Sequence, residues 1–335
     1  MDADYDRLIS SVSHNDLSFE STQIADRMDQ WILAWLNHRD TQGKGLALNL
    51  LLDRVSHFNT MVTSRIIQDK INELEIRNNM VPPLPFCWIS MGSDARGEQV
   101  VRTDQDNALI YADPSKENKT IAFDYFKALA REVTQGLDQF GFTLCKGNVM
   151  ATNPDWCRPL GHWLRALDNW VGSTDPDAVR KLTILLDFKA IFGDRRLAAT
   201  LHARVFQNFN AHSSASHLLV RDDQLFAAPK TRFNRINTRQ KPGCKSCFNI
   251  KTQAIAHIVN GARLFAVNHG IQIPSTLKRL ERLRDESILT QTEFDTLTHA
   301  GRIPIFPVIP LALDCACLPS ASGSSNALLY KMIAA

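Results

Sequence analysis

Two short, uninterrupted apolar runs, Phe86–Met91 (FCWISM) and Ala108–Ala112 (ALIYA), flank a polar stretch that opens at Gly92-Ser93 and closes at Asp104-Gln105-Asp106. Short apolar runs bounded by turn residues read as strands buried on both faces, since a half-exposed strand would alternate. The second strand sets the geometry of the acids at its entrance. Successive side chains on an extended chain point to opposite faces, so Asp104 and Asp106 share one face, roughly 6.5–7 Å apart at Cα. Carboxylates placed so repel each other unless a cation sits between them, and a hard divalent ion is the natural one. Gly92 lets backbone approach an anion closely, while the amides of the turn and the Arg96 guanidinium supply donors for phosphate. A phosphate-type turn followed by paired carboxylates is what nucleotidyl transfer needs.

The flanking sequence is mostly helical. Ile24, Met28, Trp31 and Trp35, then Leu48, Leu51, Leu52, Val55 and Phe58, recur mainly three or four residues apart, a helical period whose apolar members read as core between helices. Gly43 and Gly45 separate these helices, and Pro82, Pro83 and Pro85 end the last. After the motif, Phe123–Phe140 reads as an amphipathic helix and Gly141–Met150 as a strand. Asn153-Pro154-Asp155 reads as a turn capping a helix through Trp163 and Trp170. Ala178–Phe192 reads as a helix stopped by Gly193. Helix returns over Arg195–Phe226, Lys251–Asn268 and Thr276–Glu286, with a basic connector at Pro229–Phe248. The expected class is therefore α+β, a small mixed sheet backed by helices. The expected domains are a helical region over residues 1–80, a core over 81–200, a helical domain over 201–302 and an apolar tail over 303–335. That tail carries Asp314 and Lys331 as its only charges and four prolines, and disorder is one reading of it.

Composition narrows the function classes. Lys+Arg 38 against Asp+Glu 35 leaves a formal charge of +3, too mild and too dispersed for a nucleic-acid groove. No apolar run is long enough for a membrane span and no charged-then-apolar leader is visible, so neither membrane insertion nor secretion is expected. Seven cysteines, an odd count without framework spacing, fit a reducing cytoplasm. Cys244-x-x-Cys247 has zinc-like spacing but no second pair at a fitting distance, so two unpaired thiols is the better reading. The ten histidines form neither an HExxH nor an HD pair, against hydrolase chemistry. On Lys278–Arg284, Leu277, Leu280 and Leu283 lie to one side, as in a docked helix with a solvated basic face.

The extended string Gly92-Ser93-x-x-Arg96-Gly97-Glu98-Gln99 with Thr103-Asp104-Gln105-Asp106-Asn107-Ala108-Leu109 resembles the signal-transduction nucleotidyltransferases of the DNA polymerase β-like superfamily. These are related to the N-terminal domain of bacterial PII-protein uridylyltransferase. PPLPFCW at 82–88, GNVMATNPDW at 147–156 and LDFKAIFGD at 186–194 extend the likeness. So do GARL at 261–264 and STLKRL at 275–280, and the whole covers roughly residues 50–300. The resemblance implies a polymerase β-like core using Mg²⁺ (or Mn²⁺). It also implies transfer of UMP from a nucleoside triphosphate to a protein acceptor, and association with CBS-type regulatory domains.

Carried onto this chain, the resemblance makes Asp104 and Asp106 the metal ligands and catalytic carboxylates, and Gly92, Ser93 and Arg96 the nucleotide-binding turn. Ser93 can cap a helix at the same time, because capping and phosphate binding use the same unpaired amides. Glu98 reads as orienting Arg96, and an Arg96–Glu98 surface pair is the alternative to a phosphate contact. Asn148 either reaches the nucleotide or satisfies a turn. Relatives place a third carboxylate on a later strand, but Phe142–Met150 offers only Cys145, Lys146 and Asn148. Asp187, on what reads as a helix, is the substitute considered, with Asp138 behind it. Lys189 stands where the group has arginine, keeping charge but losing the bidentate fork. A nucleotide-sensing module without turnover is therefore a second reading, and a small-molecule acceptor a third.

Overall fold

The computed structural model describes residues 2–14, 17–38, 46–99, 102–212, 215–226, 239–241, 244–249, 251–302 and 316–317. The chain divides into two compact units, Met1–Asn169 with Ile184–Val205, and Trp170–Thr183 with Phe206–Ala335.

In the first unit, helices α1 (Asp2–His14), α2 (Leu17–His38) and α3 (Leu46–Asn78) precede the sheet. Helical spacing puts Ile24, Met28, Trp31 and Trp35 of α2, and Leu51, Val55 and Phe58 of α3, in the core. Tyr5 of α1 packs 5.2 Å from the Trp31 ring and donates its hydroxyl to the Arg54 carbonyl at 2.9 Å. Trp31, Trp35 and Leu51 thus do what their spacing implies, Leu52 is half-buried, and the Leu48 side chain lies outside the described residues. Beyond α3, Asn79 takes a left-handed backbone (φ 51) and the prolines prevent continuation.

The sheet holds β1 (Phe86–Met91), β2 (Asn107–Tyr111), β3 (Cys157–Pro159) and β4 (Phe188–Gly193) in the order β3-β2-β1-β4. β1 pairs antiparallel with β2 and β4, Ser90 facing Asn107 on one side and Met91 facing Phe188 on the other, while β2 and β3 run parallel. β1 and β2 are buried at every position, which explains why they are apolar runs rather than alternating ones. α5 (Lys119–Phe140) covers them, with Phe126 stacked 4.5 Å from Tyr111 and tilted against Phe86 at 5.5 Å. Its Gly136 permits close approach to α3: a Cβ there would stand 2.8 Å from Ile66 Cγ2. This is the α+β architecture the sequence implies, a small mixed sheet surrounded by helices.

Cys87 sits at the centre of this sheet with no exposed surface, and burial pushes its thiol up to about 12. We expect it to resist iodoacetamide at pH 8 in native protein and to react fully in urea, by peptide mass mapping; native labelling of Cys87 would contradict the fold.

Three segments around this sheet differ from their sequence reading, and the expected connector over 229–248 also contains the strands Arg239–Lys241 and Cys244–Phe248. Within 141–150, expected as a strand, only Thr143 pairs, through a single parallel bridge to Asp104. Lys146-Gly147-Asn148 instead makes a turn, with the Asn148 amide on the Cys145 carbonyl at 3.0 Å and Asn148 left-handed (φ 54); Gly and Asn favour that conformation over pairing. The turn at Asn153-Pro154-Asp155 is present, the Asp155 amide donating to Asn153 Oδ1 at 3.0 Å. It feeds β3 first, and α6 (Leu160–Val171) follows. The expected helix Ala178–Phe192 splits into α7 (Pro176–Leu185), a break at Leu186-Asp187, and β4. A short apolar run fits either period, and pairing with β1 decides it. Gly193 ends a strand rather than a helix: at φ 89 its absent Cβ would fall 2.1 Å from the Phe86 carbonyl oxygen.

The remaining elements are α8 (Arg195–Ala211), α9 (Ala215–Asp223), β5 (Arg239–Lys241), β6 (Cys244–Phe248), a π-helical turn (Lys251–Ile255), α10 (Ala256–Asn268), α11 (Thr276–Asp285), α12 (Gln291–Arg302) and β7 (Ala316–Cys317). In the second unit Ala262 of α10 packs with Leu280 of α11 and Phe294 of α12, and Ala266 with Ile271 and Leu283. Leu280 and Leu283 are therefore the docked side of α11, as their spacing implies. Asp223 ties α9 to α10, accepting from Asn260 Nδ2 at 2.7 Å and lying 2.8 Å from His257 Nδ1. Cys244 and Cys247 fall on β6, but their side chains lie outside the described residues, as does the tail over 303–335 apart from β7.

Candidate metal and nucleotide site

Asp104 and Asp106 reach the same side of the chain because Gln105, between them, is anchored on the other. Gln105 is buried, and its Nε2 donates to the Thr134 carbonyl of α5 at 3.0 Å and to the Phe142 carbonyl at 2.9 Å. Its Oε1 accepts from Asn107 Nδ2 at 3.2 Å, and Asn107 Oδ1 accepts the Ala151 amide at 2.9 Å. With the middle residue held, the flanking aspartates must point away from it. Backbone pairing locks the register: the Met91 amide donates to the Asp106 carbonyl at 2.8 Å and the Gln105 amide to the Thr143 carbonyl at 2.8 Å.

On the aspartates' side the chain presents a third group. One ligand atom each from Asp104, Asp106 and Cys145, all half-buried, lie within 4.8 Å of one another. Among the described residues this is the one such set of three acidic, histidine or cysteine groups. Burial first, and then the neighbouring Asp106 carboxylate, raise the Cys145 thiol above its ordinary value.

β1 delivers the turn beside these groups. Gly92 follows it at φ 60, and an ideal Cβ on Gly92 would stand 2.8 Å from Asp106 Oδ2. Glycine is required twice over here, for the left-handed backbone and for the room it leaves at the carboxylate. Gly92-Ser93-Asp94-Ala95 forms the single-turn helix α4, whose first amides have no acceptor within the helix. Gln99 Nε2 donates to Ser93 Oγ at 3.1 Å and to Thr103 Oγ1 at 2.8 Å, pinning the turn to the residue before Asp104. This bridging role for Gln99 is not legible from residue type; only its place in the string marked it.

Arg96 lies behind the turn. Its Nε donates to Glu98 at 2.6 Å and its Nη1 to Asp187 Oδ2 at 2.8 Å, with side-chain exposures of 13%, 20% and 1% for Arg96, Glu98 and Asp187. Burial pulls the Arg96 pKa down, but the Glu98 and Asp187 carboxylates more than offset it, and the guanidinium is held firmly charged. The Asp187 carbonyl accepts the Gly92 amide at 3.0 Å, so Asp187 holds the turn by backbone and side chain together. Asp187 therefore stands in the α7–β4 break, not on a helix, and outside the set that brings Asp104 and Asp106 together. Asn148 is exposed on the turn after Cys145, accepting from Asn153 Nδ2 at 3.0 Å through its carbonyl. Lys189 on β4 donates to Ser56 Oγ at 3.1 Å.

Two carboxylates and a sulfur, converging where a Cβ is excluded, fit a divalent cation, with amides alongside suited to phosphate oxygens. Comparison with known families points the same way. Residues 37–177 match the family described as "Putative nucleotidyltransferase DUF294". Residues 213–304 match the one described as "Putative nucleotidyltransferase substrate binding domain". No curated protein matches the chain. The first match spans the Gly92–Asp106 motif, so over that stretch the chain is similar to a nucleotidyltransferase family, and over 213–304 it is similar to that substrate-binding domain. Among the described residues no helix is long and apolar enough to cross a membrane.

Proposed function

We propose that the protein transfers a nucleoside monophosphate, UMP by resemblance to PII uridylyltransferase, from its triphosphate to a hydroxyl on a signalling protein. The observation that carries this reading is the convergence of Asp104 and Asp106 beside the Gly92-Ser93 turn. Asp104 and Asp106 hold Mg²⁺ or Mn²⁺, which when bound neutralises the triphosphate and favours the attacking oxygen. The amides of Ser93 and Asp94 face the phosphate oxygens, and Arg96 adds positive charge from behind while Glu98 and Asp187 keep it in place. Asn148 lies on the neighbouring turn, where it can meet the nucleotide. The acceptor hydroxyl oxygen attacks the α-phosphorus and gives up its proton to solvent as the bond to the α,β-bridging oxygen breaks, and pyrophosphate leaves with the electron pair. Positioning and charge neutralisation do most of this work.

Radiolabelled UTP, ATP, GTP and CTP, each incubated with the protein, cell lysate and Mg²⁺ or Mn²⁺, should label a lysate protein, most strongly with UTP, with pyrophosphate released in step. Absence of label and of pyrophosphate with all four would overturn transfer. The commitment of Arg96 to two carboxylates, and of Asp187 to Arg96, favours one alternative, a nucleotide sensor without turnover. Calorimetric nucleotide binding with no pyrophosphate released would select it.

A further inference from the structure

We propose that Cys145 is the third protein ligand of the cation held by Asp104 and Asp106, and that its sulfur makes the site select a thiophilic divalent ion such as Mn²⁺ or Zn²⁺ over Mg²⁺. This rests on the nucleotidyltransferase reading of the same site.

The sulfur is delivered by a loop fastened at both ends. On one side Thr143 bridges to Asp104, and its carbonyl accepts the Gln105 amide at 2.8 Å, so the loop joins the segment that carries both carboxylates. On the other, the Asn148 amide closes onto the Cys145 carbonyl at 3.0 Å and the Cys145 amide points to Met150 Sδ at 3.4 Å, with Met150 buried. The Asn107 side chain holds the Ala151 amide at 2.9 Å just beyond. Cys145 is thus placed by the same β2 framework that places Asp104 and Asp106, which brings all three ligand atoms within 4.8 Å. The loop from Phe142 to Met150 contains no carboxylate, so the donor it contributes is sulfur. Asp187, whose carbonyl holds the Gly92 amide, is engaged by Arg96 at 2.8 Å.

Donor chemistry then decides the ion. Mg²⁺ demands oxygen ligands and near-octahedral geometry, whereas thiolate favours softer ions and carboxylates also accept Mn²⁺ and Zn²⁺. On ligation the S–H bond breaks, its proton leaves to solvent and a sulfur lone pair forms the metal–sulfur bond; nothing is oxidised or reduced.

The test follows sulfur directly. Cd²⁺ is titrated into the wild-type protein, Cys145→Ser, Cys145→Asp and Asp104→Asn/Asp106→Asn, recording sulfur-to-metal charge-transfer absorption. Calorimetry gives Mn²⁺ and Mg²⁺ affinities for the same four proteins. Expected are a saturable wild-type band of which the component that needs Asp104 and Asp106 is lost in both Cys145 variants, the other cysteines keeping theirs, and Mn²⁺ affinity at least about tenfold weaker in Cys145→Ser. Cys145→Asp, which supplies a third oxygen ligand, should bind Mg²⁺ more tightly than the wild type and so shows that position 145 still reaches the ion. A band in Cys145→Ser that is undiminished from the wild type, or Mn²⁺ affinity that the serine leaves unchanged while the paired asparagines abolish binding, overturns sulfur ligation alone. Wild-type Mn²⁺ binding by the paired asparagines overturns the cation site itself.

Discussion

Asp104→Asn combined with Asp106→Asn is expected to slow nucleotidyl transfer at least about a thousandfold, roughly 4 kcal/mol of transition-state stabilisation, while leaving the fold intact. The expectation of an intact fold comes from where the framework bonds lie. Register is fixed by main-chain bonds from Met91 and Gln105 and by the buried Gln105 and Asn107 amides, none of which needs a carboxylate at 104 or 106. Asparagine keeps the size and removes two like charges that face each other, so the metal-free variant should be no less stable than the metal-free wild type. The difference should appear only when metal is added. At a hundred times its Kd, a cation that binds the native state alone stabilises by about 2.7 kcal/mol, so Mn²⁺ should raise the thermal midpoint of the wild type and not that of the variant. Equal turnover in both proteins would remove the carboxylates from the reaction. Gly92→Ala tests the same pocket from the other wall. Its methyl would come 2.8 Å from Asp106 Oδ2 on a backbone at φ 60, and turnover should fall with the carboxylates still in place.

The site was legible where local pattern and tertiary role coincide. FCWISM and ALIYA are buried on both faces, and such strands announce themselves by unbroken apolar runs. Asp104-Gln105-Asp106 could be read because alternation along an extended chain is a backbone property. What stayed hidden depended on partners remote in sequence. Phe188–Gly193 becomes a strand only because β1 offers it an edge, and its apolar pattern fits a helix equally well. Cys157–Pro159 is three residues long and carries no signal of its own. Residues 141–150 kept the outline of a strand, yet Gly147 and Asn148 turn the chain and leave one bridge. That same turn presents Cys145, which a search confined to carboxylates passes over. Asp187 was singled out from sequence as an acid near the site, but the direction of its side chain depends on Arg96, ninety-one residues earlier.

Asp187→Asn should lower folding stability by about 3 kcal/mol, with the urea midpoint reduced and the m-value unchanged. Breaking a buried ion pair leaves a charge without its partner, at about 3–5 kcal/mol. The lower figure applies because Glu98 still faces the Arg96 guanidinium at 2.6 Å and softens the loss. The order of effects among variants is a sharper check than any one value. Arg96→Met should be worse than Asp187→Asn, since it removes the guanidinium from both Glu98 and a carboxylate that is 1% exposed. Glu98→Gln, the most exposed member at 20%, should cost least. Joining Arg96→Met with Asp187→Leu should recover part of the stability, as apolar replacement of a whole buried pair often does, while transfer stays impaired because the Gly92 turn has lost its backing charge. Mn²⁺ affinity separates this role from direct ligation. If Asp187 works by holding Arg96 and the Gly92 amide, Asp187→Asn should bind Mn²⁺ about as tightly as the wild type wherever it is folded. A loss of Mn²⁺ affinity without loss of stability would make Asp187 a metal ligand and Arg96 its incidental neighbour.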